Sequence, residues 1–122
     1  MTLLDTNAII WLGQGHRRSK PLITRGTSLY ISPASLLELQ LLNEVGRVRL
    51  DAGGLEAVAH DERWLLDDPP ASEWFLRAAD LSWTRDPFDR LLVAHARLRG
   101  WRLATGDSGV LEQLGARERL AL

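Results

Sequence analysis

Apolar runs along this chain are short, and each is cut by a polar or breaking residue that sets an element boundary. Thr2 to Leu4 reads as a buried strand, and Asn7 to Leu12 as the first turns of a helix ended by Gly13 and Gly15. Ser19-Lys20-Pro21 predicts a short helix, with Ser19 or Lys20 as cap and Pro21 at the first helical position. Ser28 to Ile31 is strand-like. Ser32-Pro33 then pairs a capping hydroxyl with a first-turn proline, starting a helix that runs to about Val45 and stops at Gly46. Val48 to Leu50 reads as briefly extended, and Leu55 to Leu66 as mostly helical after the Gly53-Gly54 turn. Beyond Pro69-Pro70, helices are expected over Ala71 to Ala79 and from Asp86-Pro87 to about Leu98, the latter closed by Gly100. Trp101 to Ala104 predicts a strand and Ser108 to Leu114 a short helix, while the C-terminus is ambiguous.

Short strands alternating with helices favour an α/β sandwich built on a parallel sheet. Right-handed crossovers place the strand C-termini at one edge, where open α/β sheets bind ligands. At 122 residues, with 45% hydrophobic content and no linker, positions 1–122 form a single domain.

Four acids stand at the edges of the apolar runs. Asp5 separates Thr2-Leu3-Leu4 from Ala8-Ile9-Ile10; Glu38 sits within Leu36-Leu37-Glu38-Leu39; Asp89 precedes Leu91-Leu92-Val93; Asp107 follows Leu103-Ala104-Thr105. Asp5 and Asp107 fall at strand C-termini. Glu38 shares a helical stripe with Ala34, Leu41, Leu42 and Val45, and Asp89 shares a face with Leu92, Val93 and Ala96. Each acid also has a plainer explanation. Asp5 can cap the following helix, Asp86 is the natural cap before Pro87, and Asp89 then occupies the third helical position, favoured by the helix dipole. Asp107 can be a turn residue, and Glu38 can pair with a buried Arg.

Their combined placement shifts the balance. Two carboxylates about 5 Å apart repel by roughly 3 kcal/mol at an effective dielectric near 20. Four together need cations, or some must keep a proton. The chain has no cysteine, which excludes disulfides, thiolate zinc sites and cysteine nucleophiles. An all-oxygen donor set suits Mg²⁺ or Mn²⁺, and such ions serve phosphate-ester hydrolysis.

The strings Leu3-Leu4-Asp5-Thr6-Asn7, Ser32 to Leu39, Arg85-Asp86-Pro87-Phe88-Asp89-Arg90-Leu91-Leu92-Val93-Ala94 and Leu103-Ala104-Thr105-Gly106-Asp107 resemble the PIN domain family, and within it the VapC-type toxins of bacterial toxin–antitoxin pairs. The resemblance covers nearly the whole chain. It implies a three-layer α/β/α sandwich with a small, mainly parallel sheet, and a Mg²⁺- or Mn²⁺-dependent endoribonuclease. It implies that Asp5, Glu38, Asp89 and Asp107 are the catalytic, metal-holding acids, with Asp86 an additional acid and Thr6, Asn7 and Thr105 lining the pocket. It further implies an RNA substrate, a small antitoxin partner and a homodimer. One departure is that Ala116 to Leu122 carries no clear signature of a last strand.

The net charge of −1 excludes a bulk polycation, so nucleic-acid contact must come from local clusters: Arg17, Arg18, Lys20 and Arg25; Arg85 and Arg90; Arg97, Arg99 and Arg102. Arg85 and Arg90 flank the acids and can either hold a substrate phosphate or neutralise carboxylates. No run is long enough to span a membrane, and Asp5 sits where a signal peptide needs apolar residues, so a cytoplasmic protein is expected. Trp11 and Trp101 are expected in the core. Trp64, Trp74 and Trp83 are expected to pack, with interface contact the alternative. His16, His60 and His95 are expected at the surface or behind the site.

Two other classes compete. A receiver-like switch also clusters acids at strand ends but needs a lysine after a late strand, and the only lysine here is Lys20; a haloacid-type phosphatase needs an acid where Asn7 stands. A non-enzymatic module would use the acids only as caps and partner anchors.

Overall fold

The computed structural model describes residues 1–24 and 26–122, so Arg25 of the first basic cluster lies outside the described residues. Strands β1 (Thr2–Leu4), β2 (Leu29–Ile31), β3 (Leu65–Leu66), β4 (Arg102–Thr105) and β5 (Arg119–Ala121) form one sheet, in the order β3-β2-β1-β4-β5. Every neighbouring pair is parallel, with Leu3 opposite Tyr30 on one side and Leu103 on the other. Helices α1 (Thr6–Gln14), α2 (Pro33–Glu44), α3 (Gly54–Ala59), α4 (Ala71–Ala79), α5 (Pro87–Arg99) and α6 (Ser108–Gln113), with a 3₁₀ turn at Arg17–Leu22, cover the sheet. No helix among the described residues is long and apolar enough to cross a membrane.

The central strand is buried on both faces, and its side-chain alternation splits the core in two. Leu4 packs with Ala8, Ile9, Leu22, Ile31, Leu39, Trp64 and Ala104. Leu3 points the other way, onto Leu92, Val93, Ala96, Leu103, Val110 and Leu114. Burying each of these leucines fully contributes about 1.5–3 kcal/mol. A third cluster, Ala34, Trp74, Ala78 and Ala94, joins α2, α4 and α5.

Several expectations are corrected. Leu65 and Leu66 form an edge strand instead of extending a helix, since α3 stops at Ala59. Arg119–Ala121 forms the last strand, while residues 48–50 form none. The 3₁₀ turn starts at Arg17 with His16 as its cap, leaving Pro21 inside it. Gly13 lies within α1, and the helix ends at Gly15, whose φ of 65° is a left-handed conformation that suits glycine. Trp64 and Trp74 are the buried tryptophans, each donating its indole N–H to a backbone carbonyl at 2.7 Å, to Val58 and Leu91 respectively; Trp11 and Trp101 are only partly buried. The α2 stripe is core only at its start: Ala34 is buried, but Leu41 is 43% and Val45 69% exposed. His95 is fully buried, and its Nε2 lies 2.7 Å from Asp67 Oδ2, which Arg99 also engages at 2.8 Å.

Candidate active site

Strand order reverses direction at β1, because β2 and β3 lie on one side of it and β4 and β5 on the other. The crevice at the C-terminal ends of β1 and β4 is therefore the topological switch point, the usual ligand position in open parallel sheets. Asp5 leaves β1 there, its N–H bonded to Ala104 O at 3.0 Å, and Asp107 follows β4. Asp5 and Asp107 each cap a helix. Asp5 Oδ1 accepts the Ala8 N–H at 2.7 Å, and Asp107 Oδ1 accepts the Val110 N–H at 3.0 Å. Asp86 does the same for α5, accepting from Phe88 and Asp89. The capping role and the site role thus coexist, since a cap bond engages only part of a carboxylate's acceptor capacity.

A cavity of about 360 Å³ opens at this crevice, and Asp5, Glu38, Asp89 and Asp107 all line it, with Thr6 and Asn7. Four separate elements deliver the four acids: the β1–α1 junction, α2, α5 and the β4–α6 turn. The Thr6 hydroxyl donates to Glu38 Oε1 and lies 3.1 Å from Ser35 Oγ, which fixes the Glu38 side chain. Thr105 is buried beneath the cavity rather than on its wall. Its hydroxyl accepts the Asp107 N–H at 3.1 Å and bonds the Asp5 carboxylate. Asp86 is likewise off the wall, although its charge reaches Glu38 and Asp89.

Neither Arg85 nor Arg90 lines the cavity. Arg90 is spent on the Thr84 and Ala79 carbonyls at 2.8 and 3.1 Å, and Arg85 leans on Ser82 O. Arg47 is the cation on the wall, among the described residues, and it follows α2 in a segment without regular structure. No sequence pattern marks it. Arg18 stands nearby, stacked 4.2 Å over the Trp11 ring and bonded to Gly106 O and Leu122 O.

The electrostatics are those of uncompensated negative charge. Burial raises Asp5, Asp107 adds to the rise, and the Thr105 hydroxyl, the Ala8 N–H and the Arg18 charge oppose it. Burial also raises Glu38, with the charges of Asp86 and Asp5, against the bond from Thr6. Asp89 is pushed up to about 7, first by burial and then by Asp86, Asp107, Glu38 and Asp5. Carboxylates held out of their ordinary range in a cleft mark a site that gains from a cation. No three Asp, Glu or His side chains, among the described residues, stand close enough together to hold a single ion in this conformation. The oxygen-only donor set and the excess charge fit a hard divalent ion.

The PIN domain family model matches residues 2–116. The chain belongs to the PIN domain family. Comparison with curated proteins finds no match. Among solved structures, this PIN domain is similar to a toxin–antitoxin complex from Klebsiella pneumoniae, at 18% identity and a TM-score of 0.71, covering 99% of this chain and 97% of that one. It is similar to PAE2754 from Pyrobaculum aerophilum at 20% identity and a TM-score of 0.61, covering 97% and 87%. FitAB bound to an IR36 DNA fragment matches at 20% identity and a TM-score of 0.50, covering 100% and 94%. At these identities the likeness carries the fold and not the activity.

Proposed function

We propose that this PIN domain is a Mg²⁺- or Mn²⁺-dependent endoribonuclease acting in the cytoplasm as the toxin of a toxin–antitoxin pair. The observation that carries this reading is the delivery of Asp5, Glu38, Asp89 and Asp107 by four elements to one cavity whose wall bears a single cation, among the described residues. Asp5, Glu38, Asp89 and Asp107 would hold the metal, which when bound lowers the pKa of a water and polarises the phosphodiester. Arg47 binds a substrate phosphate, Thr6 orients Glu38, and the Thr105 hydroxyl holds Asp5 against the Asp107 turn. Asp89, near 7, can take up a proton at its carboxylate near neutral pH.

The toxin part of the reading is supported by the fold shared with the Klebsiella toxin–antitoxin complex. Exposed Leu37 and Leu41 on α2, Val45 at its C-terminal cap, and Phe75 and Leu76 on α4 are apolar area that a homodimer or a small antitoxin would cover. A second reading, a binding module without catalysis, is favoured by one observation: no three acids converge on a common ion position among the described residues.

Titration calorimetry with Mn²⁺ separates the two, alongside cleavage of mixed RNA by the purified protein freed of any partner. The nuclease reading expects Mn²⁺ binding, metal-dependent cuts, and a loss of at least about 100-fold in rate on Asp5→Asn, as for removal of a charge that acts in the transition state. Absence of both binding and cleavage would leave the module.

A further inference from the structure

We propose that a second cavity, beside the acidic one, receives a single unstacked base of the RNA strand being cut; this rests on the nuclease reading above. The cavity holds about 270 Å³ between α1, the 48–51 segment and α3. Ile10 and Val48 line both cavities, so the two share a wall. The segment Arg47-Val48-Arg49 runs along that wall: Arg47 faces the acids, Arg49 the second cavity, and Val48 both. A strand whose phosphate meets Arg47 can pass its neighbouring base across Val48 into the second cavity.

The lining suits a heteroaromatic ring. Ile9, Leu39 and Trp64 are buried and make an apolar floor. Asp61 and Arg63 are already engaged with each other at 2.7 Å, so their charges offset. Gln14, Arg49 and Asp51 are exposed on the rim, and among the described residues their side chains make no hydrogen bond, leaving both donors and an acceptor for a base edge. The volume falls below the range of about 300–1,000 Å³ typical of larger ligands, which suits one ring system. Seating an apolar peptide side chain there would desolvate the Arg49 and Asp51 charges without a partner.

Gly13 supplies a clean test. It lies in α1 on the cavity wall, and a Cβ added there meets no heavy atom within 4 Å, so Gly13→Leu should fold and fill the space. Amide chemical shifts of the full chain with Mg²⁺ would be followed on addition of nucleoside 5′-monophosphates, and separately of ribose 5-phosphate. Shifts at Gly13, Val48 and Ala57 are expected only with the base-bearing ligands, and those at Val48 and Ala57 should vanish in Gly13→Leu. That variant should also bind short oligoribonucleotides at least about fivefold more weakly, the low end of what one stacked base contributes. Equal shifts from ribose 5-phosphate, or cavity shifts from a leucine-rich amphipathic peptide and none from nucleotides, would overturn the proposal. Base-dependent cavity shifts in a wild-type chain that cuts no RNA would support the base site and sink the nuclease reading instead.

Discussion

Asp67 and Asp89 are both partly buried carboxylates against or on α5, yet their surroundings push them in opposite directions. Burial works to raise Asp67, but hydrogen bonds from Arg99 and His95 outweigh it and hold the carboxyl below its ordinary range. Asp89 has no such cations and meets four other acids, so it rises to about 7. The Asp67 carboxylate is matched by its neighbours: His95 Nε2 and Arg99 Nε both reach Asp67 Oδ2, at 2.7 and 2.8 Å, and Arg99 Nη2 reaches Oδ1, while His95 Nδ1 is buried without a partner among the described residues. It ties α5 to the end of β3, while the Asp67 N–H bonds Ile31 O of β2. A closed cluster of this kind holds elements together; an open one, at the switch point, waits for a counter-ion.

Substitution should separate the two clusters by sign. Asp67→Ala removes the acceptor of a fully buried His and leaves Arg99 half-covered, so a loss of about 2–4 kcal/mol is expected in urea unfolding. Asp5→Asn, which keeps an oxygen for the Ala8 N–H, should instead leave the metal-free protein as stable as the wild type or more so, while abolishing metal binding. Equal losses from both would erase the distinction.

The pH dependence sharpens it further. Asp89 carries a folded-state pKa raised from 3.8 to about 7, so its folded form binds the extra proton between those values. Metal-free stability should therefore fall as pH rises from about 4 to 7, by on the order of 1–2 kcal/mol once solvent screening of a half-buried group is allowed for. His95 works the other way. Burial lowers its pKa below 6.5 despite Asp67, so its contribution is present above 6.5 and is lost as pH falls through the lower folded value. Thermal melts of Asp89→Asn should flatten the upper part of the falling limb, toward pH 7, leave the smaller share carried by the raised Asp5 and Glu38, and keep the rise toward 6.5, and saturating Mg²⁺ should suppress the falling limb of the wild type. A melt profile unchanged by either would mean that Asp89 does not carry the slope.

What could be read from the chain follows the same divide. Asp5 and Asp107 stand out because each sits where an apolar run meets a helix start, and Asp86 because Pro87 follows it in the first-turn slot, boundaries that local sequence encodes. Arg47 does not stand out, because its place on the wall depends on how the segment after α2 folds back, with its N–H on Leu42 O. The edge strands are hidden for another reason. Leu65 and Leu66 are both exposed, and in β5 only Leu120 is partly covered, so neither shows the alternation of a half-buried strand. His95 reads as a residue of the surface or behind the site, and its burial against Asp67, distant in sequence, is not visible locally. Long-range partners decide burial of polar side chains, and no local pattern carries them.

The smallest expected effect concerns Asp86, which belongs to both kinds of site. Its Oδ1 caps α5 through Phe88 N at 2.8 Å and Asp89 N at 3.3 Å, while its charge adds to the field on Asp89 and Glu38. Asn caps a helix about as well as Asp, so Asp86→Asn should leave stability within about 0.5 kcal/mol, whereas Asp86→Ala should lose about 1 kcal/mol. Removing the charge but not the cap should weaken Mn²⁺ binding only a few-fold, because Asp86 acts on the pocket from outside its wall. Calorimetry on the Asn variant reads this directly. A loss of binding as deep as that of Asp5→Asn would move Asp86 from the edge of the acidic site into its ligand set, and a loss of stability in the Asn variant would place its charge on the structural side instead.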